Sequence, residues 1–338
     1  QFHVVQCSIK RLIHAFLCLI FSHEIDLKLK RDCCNKAAVI TREGIVSQIS
    51  TLNGLPVSSA GRKYCWKVLT WRMQKNHLNN SSPEREITTW TPENYLRLTH
   101  LRDENYAIVI LNRPINLEEK FVVELWNSGQ IRHTVDGGTD RWMEFARKCT
   151  CEREIRNPDI ITGDFDSINP ETLQHMESLG CEIIRTPDQN ETDFTKALRH
   201  LVPRLAAHGV QNVIALADTS GRVDQIMANI NTLFKAHSFA PGIRIFILSR
   251  DSLSWLIAPE HHHIIDIPQR FLRQKLWCAI VPIGHKCVVT TKGLKWDMTD
   301  QTIQFGGLVS SSNTYSGTDT VHITSSDHVL WCMGIKVE

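Results

Sequence analysis

Between residues 106 and 248, short apolar runs alternate with segments of helical periodicity, and this alternation limits more than any other feature how the chain can fold. The runs lie at 107–111, 131–135, 159–162, 181–185, 212–216 and 243–248. Short strands separated by helices bury their apolar side chains most simply as βα units around a largely parallel sheet. In open sheets of that class, ligands bind beyond the carboxyl ends of the strands, and the polar motifs of this chain fall there.

Carboxylates are the most distinctive of those motifs. Asp164 and Asp166 follow the third run within Gly163-Asp164-Phe165-Asp166-Ser167, and Asp188 and Asp193 follow the fourth. Like charges held close raise one another's pKa and resist joint ionisation. A bound Mg²⁺ removes that cost and prefers oxygen ligands shared with substrate phosphates, so the cluster points to magnesium-dependent phosphate chemistry. Asp164 and Asp166 would share one face if the backbone stays extended, and Gly163 would let a phosphate approach closely. Thr192 or Asp193 should cap the next helix, whose amino end favours anions, and Pro203 should kink or end it.

Two further strand ends carry weaker signals. Asp136-Gly137-Gly138 is either a turn or a close backbone contact with a ligand. Gly221-Arg222-Val223-Asp224-Gln225 offers a guanidinium suited to bidentate phosphate recognition, or else a plain surface pair of Arg222 with Asp224.

After about residue 255 the helical periodicity disappears. Short β-rich runs separated by Gly, Asn, Asp and Ser predict an all-β sandwich. The expected organisation is an extension of unknown structure over 1–90, poorly ordered, an α/β catalytic domain over 100–255 and the sandwich over 256–338. Within the sandwich, Trp296 in a turn could stack on a flat ring, and the polar run 308–314 could fix that ring's edge. His261, His262 and His263 alternate in direction if extended, so a solvated turn is expected there rather than a metal site.

Composition excludes several classes. A net charge of +2 over 338 residues, with Lys and Arg dispersed, predicts no nucleic-acid partner. The apolar stretch 12–21 is too short to span a bilayer, so no membrane association is expected. Eleven cysteines without C-x-x-C spacing fit reduced thiols in the cytoplasm.

Taken in order, Asp136-Gly137-Gly138, Gly163-Asp164-Phe165-Asp166-Ser167, Thr186-Pro187-Asp188-Gln189 with Thr192-Asp193-Phe194-Thr195-Lys196, Gly221-Arg222-Val223-Asp224-Gln225, Gly293-Leu294-Lys295-Trp296 and Leu308-Val309-Ser310-Ser311-Ser312-Asn313 resemble eukaryotic thiamine pyrophosphokinase. The resemblance runs from about Tyr106 to Lys336. It implies an α/β domain followed by a β-sandwich, a homodimer with active sites between subunits, and pyrophosphate transfer from ATP to thiamine with release of AMP. On that analogy Asp164, Asp166, Asp188, Asp193 and Arg222 are catalytic, and Asp164, Asp166 and Asp193 hold Mg²⁺. Asp136, Gly137, Gly138, Gly163, Gln189, Thr192, Gly221, Asp224 and Gln225 would bind ATP. Trp296, Ser310, Ser312 and Asn313 would bind thiamine, with Trp296 reaching it from the partner subunit.

Two departures stand out. Ala217-Asp218-Thr219-Ser220 replaces a glycine-rich approach to Gly221-Arg222, and Asp140 stands where the family commonly has Asn. The first motivates an alternative in which the chain is a catalytically silent thiamine- or nucleotide-binding protein. A nucleotidyltransferase or phosphatase using the same acidic strand ends ranks below both.

Overall fold

The computed structural model describes residues 85–337, so the apolar stretch 12–21 and most of the extension lie outside the described residues. The end of the region read as an extension forms strand β1 (Glu86–Trp90). The α/β half contains β2 (Tyr106–Ile110), β3 (Ile131–Val135), β4 (Ile160–Gly163), β5 (Glu182–Arg185), β6 (Asn212–Leu216) and β7 (Arg244–Leu248). These strands are parallel, in the order β7-β6-β2-β3-β4-β5. The chain winds from β2 outward to β5, then returns to place β6 on the other side of β2. The sheet therefore has its topological switch at β2, and a ligand crevice is expected at the carboxyl ends there.

The connecting helices are α1 (Glu119–Ser128), α2 (Gly138–Lys148), α3 (Pro170–Ser178), α4 (Asp193–Ala207) and α5 (Val223–Phe239). Tyr106, Ile108 and Ile110 of β2 face one core with Trp126 of α1 and Trp142 of α2. Ala107 and Val109 face another, with Leu198, Leu201 and Leu205 of α4 and Leu233 of α5. A strand buried on both faces reads as an unbroken apolar run, which is why β2 and β6 were legible in the sequence. Pro203 does not end α4, which continues to Ala207. The added turn puts Leu205 into the core fully buried, and that burial offsets the hydrogen bond proline cannot make.

Gly138 opens α2 against the end of β2. A Cβ there would lie 2.5 Å from Ile110 O and 2.9 Å from the Leu111 carbonyl carbon. Both are backbone atoms, so Gly138→Ala is expected to destabilise the fold by about 1–3 kcal/mol, as overpacking does elsewhere. Urea unfolding reads this directly, and an unchanged midpoint would mean that α2 moves aside freely.

The later half is β-rich, with β8 (Ser252–Ile257), β9 (His261–Asp266), β10 (Trp277–Val281), β11 (Cys287–Lys292), β12 (Gln301–Ile303), β13 (Ser310–Thr314), β14 (Thr320–Ser325) and β15 (Val329–Gly334), plus the short α6 (Gln269–Gln274). Strands β8, β15, β10 and β13 extend the parallel sheet from β7 in antiparallel fashion, giving ten strands. The second sheet has the order β1-β9-β14-β11-β12. One core links Trp90, Phe246, Trp255, Ile265, Val289, Ile323 and Trp331 across both sheets and continues into the α/β half.

The three adjacent histidines are a strand, not a solvated turn. His263 is 2% exposed because both ring nitrogens find local partners. Trp90 Nε1 donates to His263 Nδ1 at 3.0 Å, and His263 Nε2 donates to Ala258 O at 2.9 Å. Burial pushes its pKa down to about 4, so this imidazole packs as a neutral group. Among the described residues no helix is long and apolar enough to cross a membrane.

Candidate active site

At the switch point, a cavity of about 270 Å³ opens between the ends of β2 and β3 and the starts of α4 and α5. Its lining includes Asn112, Arg113, Asp136, Thr192, Asp193, Gln225 and Asn229. One carboxylate oxygen each from Asp136, Asp164 and Asp193 lies within 4.8 Å of the others.

Local backbone geometry builds this trio. Asp136 follows β3 with φ 47°, a left-handed turn that starts α2. Its Oδ1 accepts from Ile168 N at 3.1 Å. Gly163 lets Asp136 and Asp164 approach, since a Cβ on Gly163 would lie 2.8 Å from Asp136 Cβ. Asp164 Oδ2 accepts from Gln189 Nε2 at 2.8 Å, and this hydrogen bond leads the influences that hold its pKa below the ordinary carboxylate range. Asp136 goes the other way. Burial, reinforced by the charges of Asp193 and Asp166, pushes its pKa up to about 6.

Thr192 caps α4, its hydroxyl accepting from Thr195 N at 3.2 Å, which places Asp193 in the first turn as expected. Lys196 lies one turn further on and is 5% exposed. Its ammonium sits 2.7 Å from Asp193 Oδ1 and 4.0 Å from Asp164 Oδ2, and donates to the carbonyls of Thr186 and Asp188 at 2.9 and 3.1 Å. Lys196 thus ties two carboxylates to the loop after β5. The sequence reading gave it no role, although a lysine beside Phe194, Ala197 and Leu198 on a buried helix face was a signal that it must be paired.

Other expected residues fall outside the trio. Phe165 has φ 66°, so the backbone does not stay extended, and Asp166 is exposed, accepting from Ser167 Oγ at 2.7 Å. Asp188 is also exposed and closes a local turn by accepting from Asn190 N and Nδ2 at 2.9 and 2.8 Å. Arg222 pairs with Asp224 through two contacts, one of them 3.1 Å, with the side chains 68% and 64% exposed. Gly221, with φ 84°, passes against the Arg113 guanidinium, which donates to Ser220 O. Gly137 and Gly138 position α2, and Gln225 lines the cavity.

Both departures noted in the sequence have local structural partners. Asp218 accepts from Asn116 Nδ2 at 2.9 Å and Ser220 N at 2.8 Å, so its charge is committed between its own loop and the loop after β2. Asp140 accepts from Asn169 N at 2.7 Å, bracing the residue that caps α3.

In the β-rich half, Trp296, Ser310, Ser312 and Asn313 line one concavity of about 410 Å³. Trp296 is 57% exposed, and the Lys295 ammonium lies 4.5 Å from its ring centroid. Asn313 is buried and clamps the turn below it. Its Oδ1 accepts from Trp296 N at 3.2 Å while its Nδ2 donates to Trp296 O at 2.9 Å. The turn itself is held by Asp297, which accepts from Thr291 Oγ1 and from the Gly293 and Leu294 amides.

Comparisons with known proteins agree with this division. Residues 122–247 match the family model for the thiamin pyrophosphokinase catalytic domain, and 262–330 match that for the thiamin pyrophosphokinase vitamin B1 binding domain. The chain is 33% identical over 242 residues to thiamine pyrophosphokinase 3 of Oryza sativa subsp. japonica, covering 68% of this chain and 87% of the rice protein. It is 32% identical to thiamine pyrophosphokinase 1 of Arabidopsis thaliana, covering 68% and 86% respectively. The fold resembles that of thiamin pyrophosphokinase from Candida albicans, with a TM-score of 0.63 and 24% identity over 76% of this chain and 95% of that one. With both halves matched in order, and with relatives this similar over most of their length, the chain belongs to the thiamin pyrophosphokinase family.

Proposed function

We propose that this chain transfers pyrophosphate from ATP to the hydroxyl of thiamine, forming thiamine diphosphate and AMP. The observation that carries the reading is the Asp136, Asp164 and Asp193 trio beside a cavity at the sheet's switch point. ATP is assigned to the α/β half, 100–255, and thiamine to 256–338. The predominance of free thiols fits a cytoplasmic enzyme, since all six cysteines of the described residues are free.

Mg²⁺ is the cation assigned to the trio, and the donor set fits it. Three crowded carboxylates offer hard oxygen ligands, and burial first, then the charges of Asp193, Asp166 and Asp164, raise the pKa of Asp136, a cost that a divalent cation relieves. When bound, Mg²⁺ supplies neutralisation of charge at the phosphate oxygens. The chain's own residues position the reactants. Lys196 fixes Asp164 and Asp193, the amino end of α4 favours an anion, and Asn112, Arg113, Gln225 and Asn229 line the space for the nucleotide. Arg222 would reach phosphate by leaving Asp224, a cheap exchange because an exposed ion pair contributes little.

Transfer of this kind needs little covalent participation by the protein. The thiamine oxygen forms a bond to the β-phosphorus as the bond from that phosphorus to the α,β-bridging oxygen breaks, and AMP departs. Asp193 shares its charge with Lys196, which suits holding the metal better than removing the hydroxyl proton, and that proton passes to solvent. Incubation with ATP, Mg²⁺ and thiamine, followed by mass spectrometry, should show thiamine diphosphate and AMP in equal amounts. Thiamine binding without AMP would favour a silent binding protein, and AMP formed without thiamine would favour a different nucleotide enzyme.

Trp296 is assigned to stack on thiamine, with Ser310 and Ser312 at the ring's polar edge and Asn313 securing the turn. The Trp296 concavity and the carboxylate cavity share no lining residue, and the proposed homodimer combines the two from different subunits. Trp296→Ala is expected to raise KM for thiamine by about tenfold or more, the loss of one stacking contact, with KM for ATP unchanged. At thiamine concentrations well below the raised KM, mixing Trp296→Ala with Asp164→Asn should then give more activity than either variant shows alone. No recovery would argue against shared sites.

A further inference from the structure

A second group of ligating side chains lies at the far end of α5 from the carboxylate cavity. His237 comes from the last turn of α5, Glu260 from the turn between β8 and β9, and His328 from the turn between β14 and β15. One ring nitrogen of each histidine and one oxygen of Glu260 lie within 4.8 Å of one another. The two imidazoles meet edge to face, with centroids 4.5 Å apart.

His328 supplies an independent sign that something belongs there. Its Nε2 is buried and has no hydrogen-bond partner, whereas its Nδ1 lies 3.5 Å from Asp327 Oδ1. A buried polar nitrogen without a partner is uncommon and calls for an explanation. A carboxylate at Nδ1 favours the tautomer protonated on that nitrogen and leaves the Nε2 lone pair free for a ligand. This is the arrangement in which a carboxylate orients a metal-binding histidine.

We infer that His237, Glu260 and His328 bind a divalent cation of the Zn²⁺ class, with Asp327 as the positioning residue behind His328. Two imidazoles and one carboxylate suit Zn²⁺, and the exposure of His237 and Glu260 lets water complete a tetrahedral set. Mg²⁺ prefers an all-oxygen set, so this position is chemically distinct from the aspartate trio. The cation would cross-link α5 to two turns of the β-rich half, and its expected effect is on stability rather than on turnover.

The test uses the full chain carrying Cys149→Ser and Cys151→Ser, because those thiols and Glu119 also come within 4.8 Å of one another and would compete for Zn²⁺. After treatment with a chelator, the protein is titrated with zinc sulfate by calorimetry under excess Mg²⁺, and with Co²⁺ as an absorbing probe. The parent should bind one equivalent of Zn²⁺ that Glu260→Gln and His237→Ala bind at least about tenfold more weakly, following the loss of one ligand. Zn²⁺ should raise the melting temperature of the parent and not of these variants, and the Co²⁺ d–d bands should weaken in both. Both substituted residues are exposed, so the variants should fold, and His328→Ala extends the series to the partly buried ligand. Equal Zn²⁺ stoichiometry, affinity and thermal shift in parent and variants would overturn the inference.

Discussion

Asp164→Asn and Asp193→Asn, made singly, are expected to lower kcat/KM for thiamine diphosphate formation by at least about a hundredfold and also to weaken the fold, because each neutralises a carboxylate facing the buried Lys196 ammonium. Both losses follow from the same geometry. The fold holds Asp164 charged, foremost through the Gln189 hydrogen bond, and Asp193 is the nearest counter-charge of the buried Lys196, 2.7 Å away. The charge removed is also the charge assigned to the metal. In Asp193→Asn, Lys196 keeps its contacts to Asp164 and to the carbonyls of Thr186 and Asp188, so the loop after β5 stays anchored. Asp166→Asn and Asp188→Asn should have smaller effects, below about tenfold, because both side chains are exposed and accept local hydrogen bonds. Steady-state kinetics with thermal melts on the four variants separates the cases. Equal losses at Asp166 and Asp164 would mean that the left-handed turn at Phe165 is remade on binding.

The strand ends were legible because a parallel sheet buries its strands on both faces and leaves polar residues nowhere to go but the loops beyond them. That argument locates Asp136, Asp164 and Asp193 at one rim but does not choose among carboxylates. The choice rests on φ at Asp136 and Phe165, which turns one aspartate into the crevice and another out to solvent. Non-glycine residues seldom adopt that conformation, so sequence spacing gives no warning of it. Lys196 escaped notice for a related reason. Its place on the apolar face of α4 says that it must be paired, but only the closure of the loop after β5 over α4 makes two carboxylates its partners. The pairing of β1 with β9 was likewise invisible, being a register between residues such as Glu86 and His261 far apart in the chain, reinforced by a hydrogen bond from Trp90 to His263.

Acidification should expose a weakness at His133. This residue of β3 is fully buried, its Nε2 lies 2.9 Å from Thr162 Oγ1 and its Nδ1 has no partner. Burial foremost, then the charges of Arg204 and His200, push its pKa down to about 3. The unfolded chain takes up this proton near the ordinary histidine value of 6.5, so the stability His133 contributes is present above pH 6.5 and is lost as pH falls from 6.5 toward 3. The limiting slope is about 1.4 kcal/mol per pH unit. Asp136 acts with the opposite sign. Its folded carboxyl holds a proton up to about pH 6 that the unfolded chain releases near 3.8, so its contribution grows as pH falls through that window. His263, pushed down to about 4, adds to the effect of His133. The wild-type fold should therefore weaken below pH 6.5, with Asp136 blunting the decline between about pH 6 and 4. Replacing His133 by Gln, which keeps a hydrogen-bonding group near Thr162, should recover up to about 3 kcal/mol at pH 4 relative to its effect at pH 7. Asp136→Asn should do the reverse and steepen the wild-type decline between pH 6 and 4. Urea midpoints measured at half-unit pH steps without added Mg²⁺ read both slopes. Parallel curves for wild type and His133→Gln would place the acid sensitivity at another group, whereas divergence confined to pH below 6.5 would assign it to this buried ring, which the fold admits only in its neutral form.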